Sequence, residues 1–273
     1  MPELPEVETV KKYLTPLIKG KKFTNITILN AKLRIQIPAN ITTKITNSKI
    51  IKIERRAKYL LTYFANQQVL IIHLGMTGKI FVETSLTSNK HDHVIFNLSD
   101  GNYMRYNDVR KFGLVTYQEQ ANLTLSSFFK HLGIEPLSAN FDSKYMQNLC
   151  QNSNNEIKKF IMEQKNIVGV GNIYASEALF LSKIHPEKPA SQLKLTEINL
   201  LVENIKKVLL QAIAKGGSTI KDYRLVNGES GYFQHEFKVY GKENNACQIC
   251  DSPIKKIKQA GRSTFYCGIC QKK

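Results

Sequence analysis

Two cysteine pairs near the C-terminus, Cys247-x2-Cys250 and Cys267-x2-Cys270 with 16 residues between them, constrain this chain more than any other feature. Each pair can offer two thiolates from one knuckle. Two knuckles close a tetrahedral shell at about 2.3 Å with no open position. The spacing predicts a four-thiolate zinc ribbon holding one structural Zn2+, whose binding supplies much of the module's folding free energy. Between the pairs lie Lys255, Lys256, Lys258 and Arg262, and Gly261-Arg262-Ser263-Thr264 reads as a hairpin tip that would offer a guanidinium to phosphates. Cys150 stands alone in an apolar-patterned segment and reads as a small buried hydrophobe.

The remainder of the 273-residue chain is long enough for two domains, and a hydrophobic fraction of 42% fits a globular protein. With 39 basic against 22 acidic residues, the formal charge of +17 suits a polyanionic partner, of which nucleic acid is the usual one. No apolar run reaches membrane-spanning length and no export signal opens the chain, so the expected location is the cytoplasm, without membrane association. The absence of such a signal also argues against a disulfide framework for the five cysteines.

Texture changes along the chain. Val7, Val10, Leu14, Leu17 and Ile18 share a helical face over 5–19, with Pro16 weakening the last turn. From about 21 to 118 short β-branched runs predict an antiparallel sandwich or barrel, among them Lys22–Leu29, Ile50–Arg55, Tyr59–Phe64, Val69–Leu74, Val94–Leu98 and Leu114–Tyr117. After about 121 helical spacing takes over, near 142–150, 155–164, 172–183 and 196–215.

Chemistry is concentrated at the start, Met1-Pro2-Glu3-Leu4-Pro5-Glu6. Loss of Met1 would leave a secondary amine on Pro2 that can attack an aldehyde carbon and form an iminium directly. Glu3 follows at once, where it could shuttle protons for that amine. Taken alone, the same residues also suit a proline-stiffened start to a helix.

The motifs PELPEVETV (2–10), RRAKYLL (55–61), HLGMTGK (73–79), KHDHV (90–94), DVRKFG (108–113), GVGNIYASEALF (169–180), KIHP (183–186), GGSTIKDY (216–223) and GYFQHEFKVYGK (231–242) occur in this order, followed by the cysteine ribbon. In this order they resemble the bacterial formamidopyrimidine-DNA glycosylases over essentially the whole chain. The resemblance implies an α+β multidomain fold: a β-sandwich with a terminal helix over 1–120, a helix–two-turn–helix domain with a lesion loop over 121–237, and the zinc ribbon over 238–273. It implies a monomer acting on duplex DNA that carries oxidised bases or abasic sites, with the duplex in a basic cleft.

The same resemblance implies roles for matching positions. Pro2 is the nucleophile at the sugar C1′, and Glu3 protonates the sugar ring oxygen and then moves protons during elimination. Lys58 serves near the lesion phosphate and as a proton donor, and Arg262 grips the lesion phosphates and takes part in δ-elimination. Met76, Arg110 and Phe112 fill the stack vacated by the extruded nucleotide. His91 and Asn172 contact phosphates, and Lys221 and Tyr223 belong to the loop over the flipped base. The implied reaction removes 8-oxoguanine and formamidopyrimidines and then cuts the strand by β,δ-elimination.

Two readings stand beside this one. The sister enzyme endonuclease VIII removes oxidised pyrimidines by the same proline chemistry, but its members typically begin PEGPE, and Leu4 favours the purine branch. A DNA-binding zinc protein without catalysis is the other, and the joint presence of Pro2, Glu3 and Lys58 counts against it. Departures from the family pattern are Val109, where many members have proline, and the lysine-poor stretch Ser153–Glu156. There a missing phosphate contact would fall to Lys158 or Lys159.

Overall fold

The computed structural model describes residues 2–86, 89–218 and 233–273. These fall into two compact units, the first from the described residues up to 130 together with 215–218, the second from 131–214 and 233–273.

The first unit opens with helix α1 (Leu4–Ile18). Its apolar stripe of Val7, Val10, Leu14 and Ile18 is buried, as the helical period requires. Pro16 lies inside the helix, yet the Lys19 N–H still reaches the Thr15 carbonyl at 3.1 Å, so the last turn holds. The strands are β1 (Phe23–Ile28), β2 (Ile50–Arg56), β3 (Tyr59–Phe64), β4 (Gln68–His73), β5 (Lys79–Glu83), β6 (Asp92–Leu98), β7 (Tyr103–Asn107) and β8 (Leu114–Glu119), with a short helix α2 (Ile41–Ile45) after β1.

They form two antiparallel four-stranded sheets, ordered β1-β6-β7-β5 and β2-β3-β4-β8. One core joins the sheets and α1. Within it Phe23 packs against Phe96 of its own sheet at 4.8 Å and Phe64 of the other at 5.7 Å between ring centroids. The expected sandwich is therefore present. Register shifts near Asn25 and Lys52 explain why two successive residues face solvent in β1 and again in β2, where strict alternation would allow one.

Strands β5 and β7 and helix α2 were not among the runs read from the sequence. The reason for β7 is Arg105 at its centre. Its side chain is buried between Asp92, with bonds of 2.8 and 2.9 Å, and Glu83 at 2.7 Å, and it lies over the Phe81 ring. Met104 and Tyr106 face the core, and Arg105 between them lies on the opposite face, so the centre of the strand does not read as apolar. Helix α2 is too short for a period to show.

The second unit contains α3 (Ser143–Cys150), α4 (Ile157–Met162), α5 (Asn172–Leu181), α6 (Leu195–Ala214) and the hairpin β9 (Ile254–Gln259) and β10 (Arg262–Cys267). Asp142 caps α3 by accepting the Tyr145 N–H at 2.7 Å. Helix α5 is buried at every position from Ile173 to Phe180, which makes it the floor on which the rest of the unit rests. Phe180 enters the ribbon's own small core with Val239, Ile254 and Phe265. Cys150 is buried as expected, and burial pushes its thiol up to about 12. Among the described residues no helix is long and apolar enough to cross a membrane.

Asp92→Ala would leave the Arg105 guanidinium in the sheet with half of its counter-charge. The expected cost is about 3 kcal/mol, seen as a lower urea midpoint. A midpoint equal to that of the parent would show that Arg105 finds solvent without cost.

Candidate active site and metal centre

Pro2 and Glu3 are buried at the positive end of α1, with Glu3 at 3% exposure in the N-cap position. Glu6, three residues on, turns back and accepts the Glu3 N–H at 2.8 Å, so the first turn is closed by its own side chain. The other oxygen of Glu6 accepts both the N–H and the hydroxyl of Ser218, at 2.9 and 3.0 Å. Gly217, at φ +81°, passes so close that a Cβ there would meet the Glu6 side chain at 3.0 Å. One carboxylate thus holds the N-terminal motif against the last described residues before the segment 219–232. Lys221 and Tyr223 lie in that segment, outside the described residues, as does Met1.

Lys58 occupies a two-residue turn between β2 and β3. Ala57 before it takes φ +54°, a left-handed conformation that disfavours any residue with a Cβ. Arg55 holds this turn to the helix: its guanidinium donates to the Ala57 carbonyl and to Glu8 of α1, both at 2.9 Å. Burial disfavours charge on Glu8, but Lys11 and Arg55 outweigh it and keep the carboxyl below its ordinary range. Lys58 itself is buried at 7% exposure. Its charge reaches His73, across from Tyr59 on β4. Burial first, then Lys58 and Arg34, lower His73 from 6.5 to about 4. A neutral His73 accepts the Gly75 N–H on Nδ1 at 3.0 Å, which shapes the chain entering Met76.

Met76 is half-buried, whereas Arg110 and Phe112 are exposed on the 108–113 loop, with the Arg110 guanidinium 4.9 Å from the centre of the Phe112 ring. A large aromatic at 47% exposure beside an unburied guanidinium is the kind of surface that waits for a partner. His91 is half-buried in the loop before β6, and that loop is held by the Asp92 carboxylate, which accepts the Asn89 N–H at 3.0 Å.

In the second unit the residue before α5, Gly171, is its N-cap, and Asn172 is the first helical residue. The Asn172 amide donates to the Ser263 carbonyl of β10 at 2.8 Å, and its oxygen accepts from Lys158. Lys158 also donates to the Thr264 hydroxyl at 2.7 Å. Of the two lysines expected to replace a missing phosphate contact, Lys158 therefore points inward at 1% exposure and links α4, α5 and the ribbon. Lys159 is half-buried and pairs with Glu156 at 2.9 Å. The β9–β10 turn is Ala260-Gly261, both at positive φ, which sets Arg262 exposed at the first position of β10. Arg262 lines a pocket of about 220 Å³ with Lys158, Lys159, Met162 and Gln259.

The four sulfurs of Cys247, Cys250, Cys267 and Cys270 lie within 4.8 Å of one another. The Cys247–Cys270 and Cys250–Cys267 separations are 3.9 and 3.4 Å, close to the edge of a ZnS4 tetrahedron, about 3.8 Å for bonds of about 2.3 Å. Main-chain and side-chain bonding from Ser252 lowers Cys250 to about 6, while burial and the neighbouring thiols push Cys270 up. Adjacent thiols resist losing successive protons, and a dication reverses that preference. The donor set and geometry fit one structural zinc.

The organising roles of Glu6, Arg55, His73 and Glu177 have no counterpart in the sequence analysis, and Lys158, expected at a phosphate, is turned inward instead. Glu177, buried in α5, accepts the N–H groups of Lys238, Val239 and Tyr240 at 2.8, 3.0 and 2.8 Å. Burial raises its carboxyl despite these bonds. Only the Glu3-x2-Glu6 spacing carried a signal, that of a helix cap.

A β-sandwich that opens on a capped helix, and a helical unit that carries a four-cysteine ribbon, are both domains with known counterparts. Family models for the formamidopyrimidine-DNA glycosylase N-terminal domain, the H2TH domain of the same enzyme, and the zinc finger found in FPG and IleRS match residues 1–115, 132–224 and 245–273. The chain is 47% identical over 272 residues to the formamidopyrimidine-DNA glycosylase of Wolbachia pipientis from Culex pipiens, covering 99% of this chain and 100% of the relative. It is 45% identical over 274 residues to that of Rickettsia africae, covering 99% of each. Among solved structures, a variant of the Lactococcus lactis enzyme with Fapy-dG DNA superposes with a TM-score of 0.93 at 38% identity over 100% of both chains. The wild-type Lactococcus lactis enzyme with DNA containing an oxidised pyrimidine gives 0.92 at 37%, again over 100% of both. The chain belongs to the formamidopyrimidine-DNA glycosylase family.

Cys247→Ser is expected to lose the zinc, read as metal content by mass spectrometry; full metal occupancy in the variant would contradict the ligand set. His73 gives a pH signature. Its folded value near 4 lies below the unfolded 6.5, so the stability held by the neutral ring is present above pH 6.5 and is lost as pH falls through 4. Against a His73→Asn reference, that loss amounts to at most about 3 kcal/mol in denaturant titrations. A difference that stays constant from pH 7 to 4 would mean that the ring titrates normally.

Proposed function

We propose that this chain is a bifunctional DNA repair glycosylase and AP lyase that excises oxidised purines, 8-oxoguanine and formamidopyrimidines, through a Schiff base on Pro2. Its family membership supports a DNA repair glycosylase acting on oxidised bases, with lyase activity general to the family. The observation that carries the residue assignment is the buried Pro2–Glu3 pair at the positive end of α1, fixed by Glu6, with the Lys58 turn fastened to the same helix through Arg55 and Glu8.

The chemistry follows from these groups. The positive end of a helix disfavours a cation, so it favours the neutral, nucleophilic amine on Pro2 once Met1 is gone. The amine attacks C1′, and the bond from C1′ to the damaged base breaks with its electrons leaving on the base. Glu3 protonates the ring oxygen as the sugar opens, which leaves an iminium at C1′. That cation acidifies the C2′ proton. Its removal expels the 3′ phosphate, and a second elimination expels the 5′ phosphate. Lys58 serves as a proton donor in the first elimination, and Arg262 binds the phosphates and assists the second. Met76, Arg110 and Phe112 fill the stack, and His91 and Asn172 grip the backbone.

Zinc has no step in this chemistry and shapes the ribbon that presents Arg262. The relative crystallised with an oxidised pyrimidine in its DNA makes the endonuclease VIII-like substrate range the second reading. Leu4, the residue that separates the two N-terminal motifs, is wholly buried here. A cytoplasmic, nucleoid-associated location accompanies the proposed reaction.

Borohydride trapping on duplexes carrying 8-oxoguanine opposite cytosine, or an oxidised pyrimidine, tests both readings. The expected result is an adduct mapped to Pro2 and formed faster on the purine lesion. Pro2→Gly should cripple base removal yet still bind an abasic-site analogue, and Glu3→Gln should slow excision about a hundredfold. Equal excision by the Pro2 variant would refute the nucleophile, and faster trapping on the pyrimidine would transfer the chain to the second reading.

A further inference from the structure

Asp108 has no exposed surface, and no proton transfer above requires it. It follows the end of β7 and bonds in three directions. Its Oδ2 accepts the Gly113 N–H at 2.8 Å, with the Tyr106 hydroxyl at 3.4 Å. Its Oδ1 accepts the Thr77 hydroxyl at 2.5 Å and the Arg110 N–H at 3.2 Å. Its own N–H donates to the His91 carbonyl at 3.0 Å. Its carbonyl lies 2.8 Å from His93 Nε2, which must carry the proton because a carbonyl can only accept.

The segments tied in this way are those of Met76, of His91, and of Arg110 and Phe112. Glycines make the coupling tight. A Cβ on Gly75 would lie 2.5 Å from the Gly113 nitrogen, and one on Gly113 would lie 1.6 Å from the Tyr106 hydroxyl. Packing this close lets neither loop shift without moving the other. A second bond runs from the Arg110 N–H to the Thr77 hydroxyl at 3.0 Å, across the same junction.

We propose that Asp108 is the positioning residue that sets these three loops in one register, so that wedge insertion and base extrusion depend on it more than strand cleavage does. This rests on the wedge assignment made under the proposed function. An ionised, desolvated carboxylate accepts at both oxygens and draws main-chain and hydroxyl donors of separate loops to one point. An amide of the same shape offers one acceptor and places a donor against another donor, so one of the two loops must let go. An abasic site has no base to extrude and makes less demand on the wedge.

The test compares wild type, Asp108→Asn and Thr77→Val under single-turnover conditions. Substrates are duplexes with 8-oxoguanine opposite cytosine or adenine, and preformed abasic duplexes. The expected result is a fall of about tenfold in the ratio of base excision to abasic-site cleavage for Asp108→Asn. Because the Arg110 guanidinium in the wedge can donate to a cytosine left unpaired, discrimination between cytosine and adenine opposite the lesion should shrink as well. Thr77→Val should move both readouts in the same direction by less, and it decides the matter if Asp108→Asn does not fold. Equal losses in the two activities would show a merely structural role, and no loss in either would show that the junction is dispensable; both overturn the proposal. A wild-type chain unable to excise the base would instead remove the functional reading on which the proposal stands.

Discussion

Buried carboxylates that accept main-chain N–H groups are the interaction on which the rest of this structure depends. Taking a carboxylate out of water costs several kcal/mol, and only good charge-assisted bonds offset it. Glu6 accepts from Glu3 and Ser218, Asp108 from Arg110 and Gly113, and Glu177 from Lys238, Val239 and Tyr240. Glu6 and Glu177 in this way join segments distant in sequence, and Asp108 does so through the Thr77 hydroxyl, at places where no regular ladder could hold them. A hydrophobic contact would tolerate sliding there. A carboxylate with two or three amides aimed at it does not.

The two sheets supply rigidity and the loops supply chemistry, and the junctions between them are ionic. Arg105 fixes the edge of one sheet through Asp92 and Glu83, and Asp92 in turn holds the loop of His91. Arg55 does the same for Lys58 through Glu8. In the second unit Lys158 has the complementary role, a buried cation that collects Asn172 of α5 and Thr264 of β10. The ribbon is thereby mounted on α5 by polar bonds as well as by Phe180, and the position of Arg262 follows from that mounting.

Much of this was legible in the residues. The period of α1, the strands from Tyr59 to Phe64 and near Val69–Leu74, the helices at 143–150 and 195–214, and the cysteine tetrad all follow from local pattern. Strand β7 was not legible, because Arg105 breaks its apolar texture and its partners lie on other strands. Lys158 is expected from the sequence at a DNA phosphate for the same reason, since a lysine in sequence carries no sign that Asn172 and Thr264 will surround it.

The sequence by itself determined most of the elements, the zinc ligands and the family, because these depend on spacing within one segment and on the chemistry of residue types. Only the tertiary structure decided which charges turn inward. Whether Glu6, Asp108 or Lys158 faces water or a cluster of donors and acceptors depends on residues up to 212 positions away, and no local period encodes that distance. Burial and partners, not identity, make the difference between a solvated charge and the post that holds a site in place.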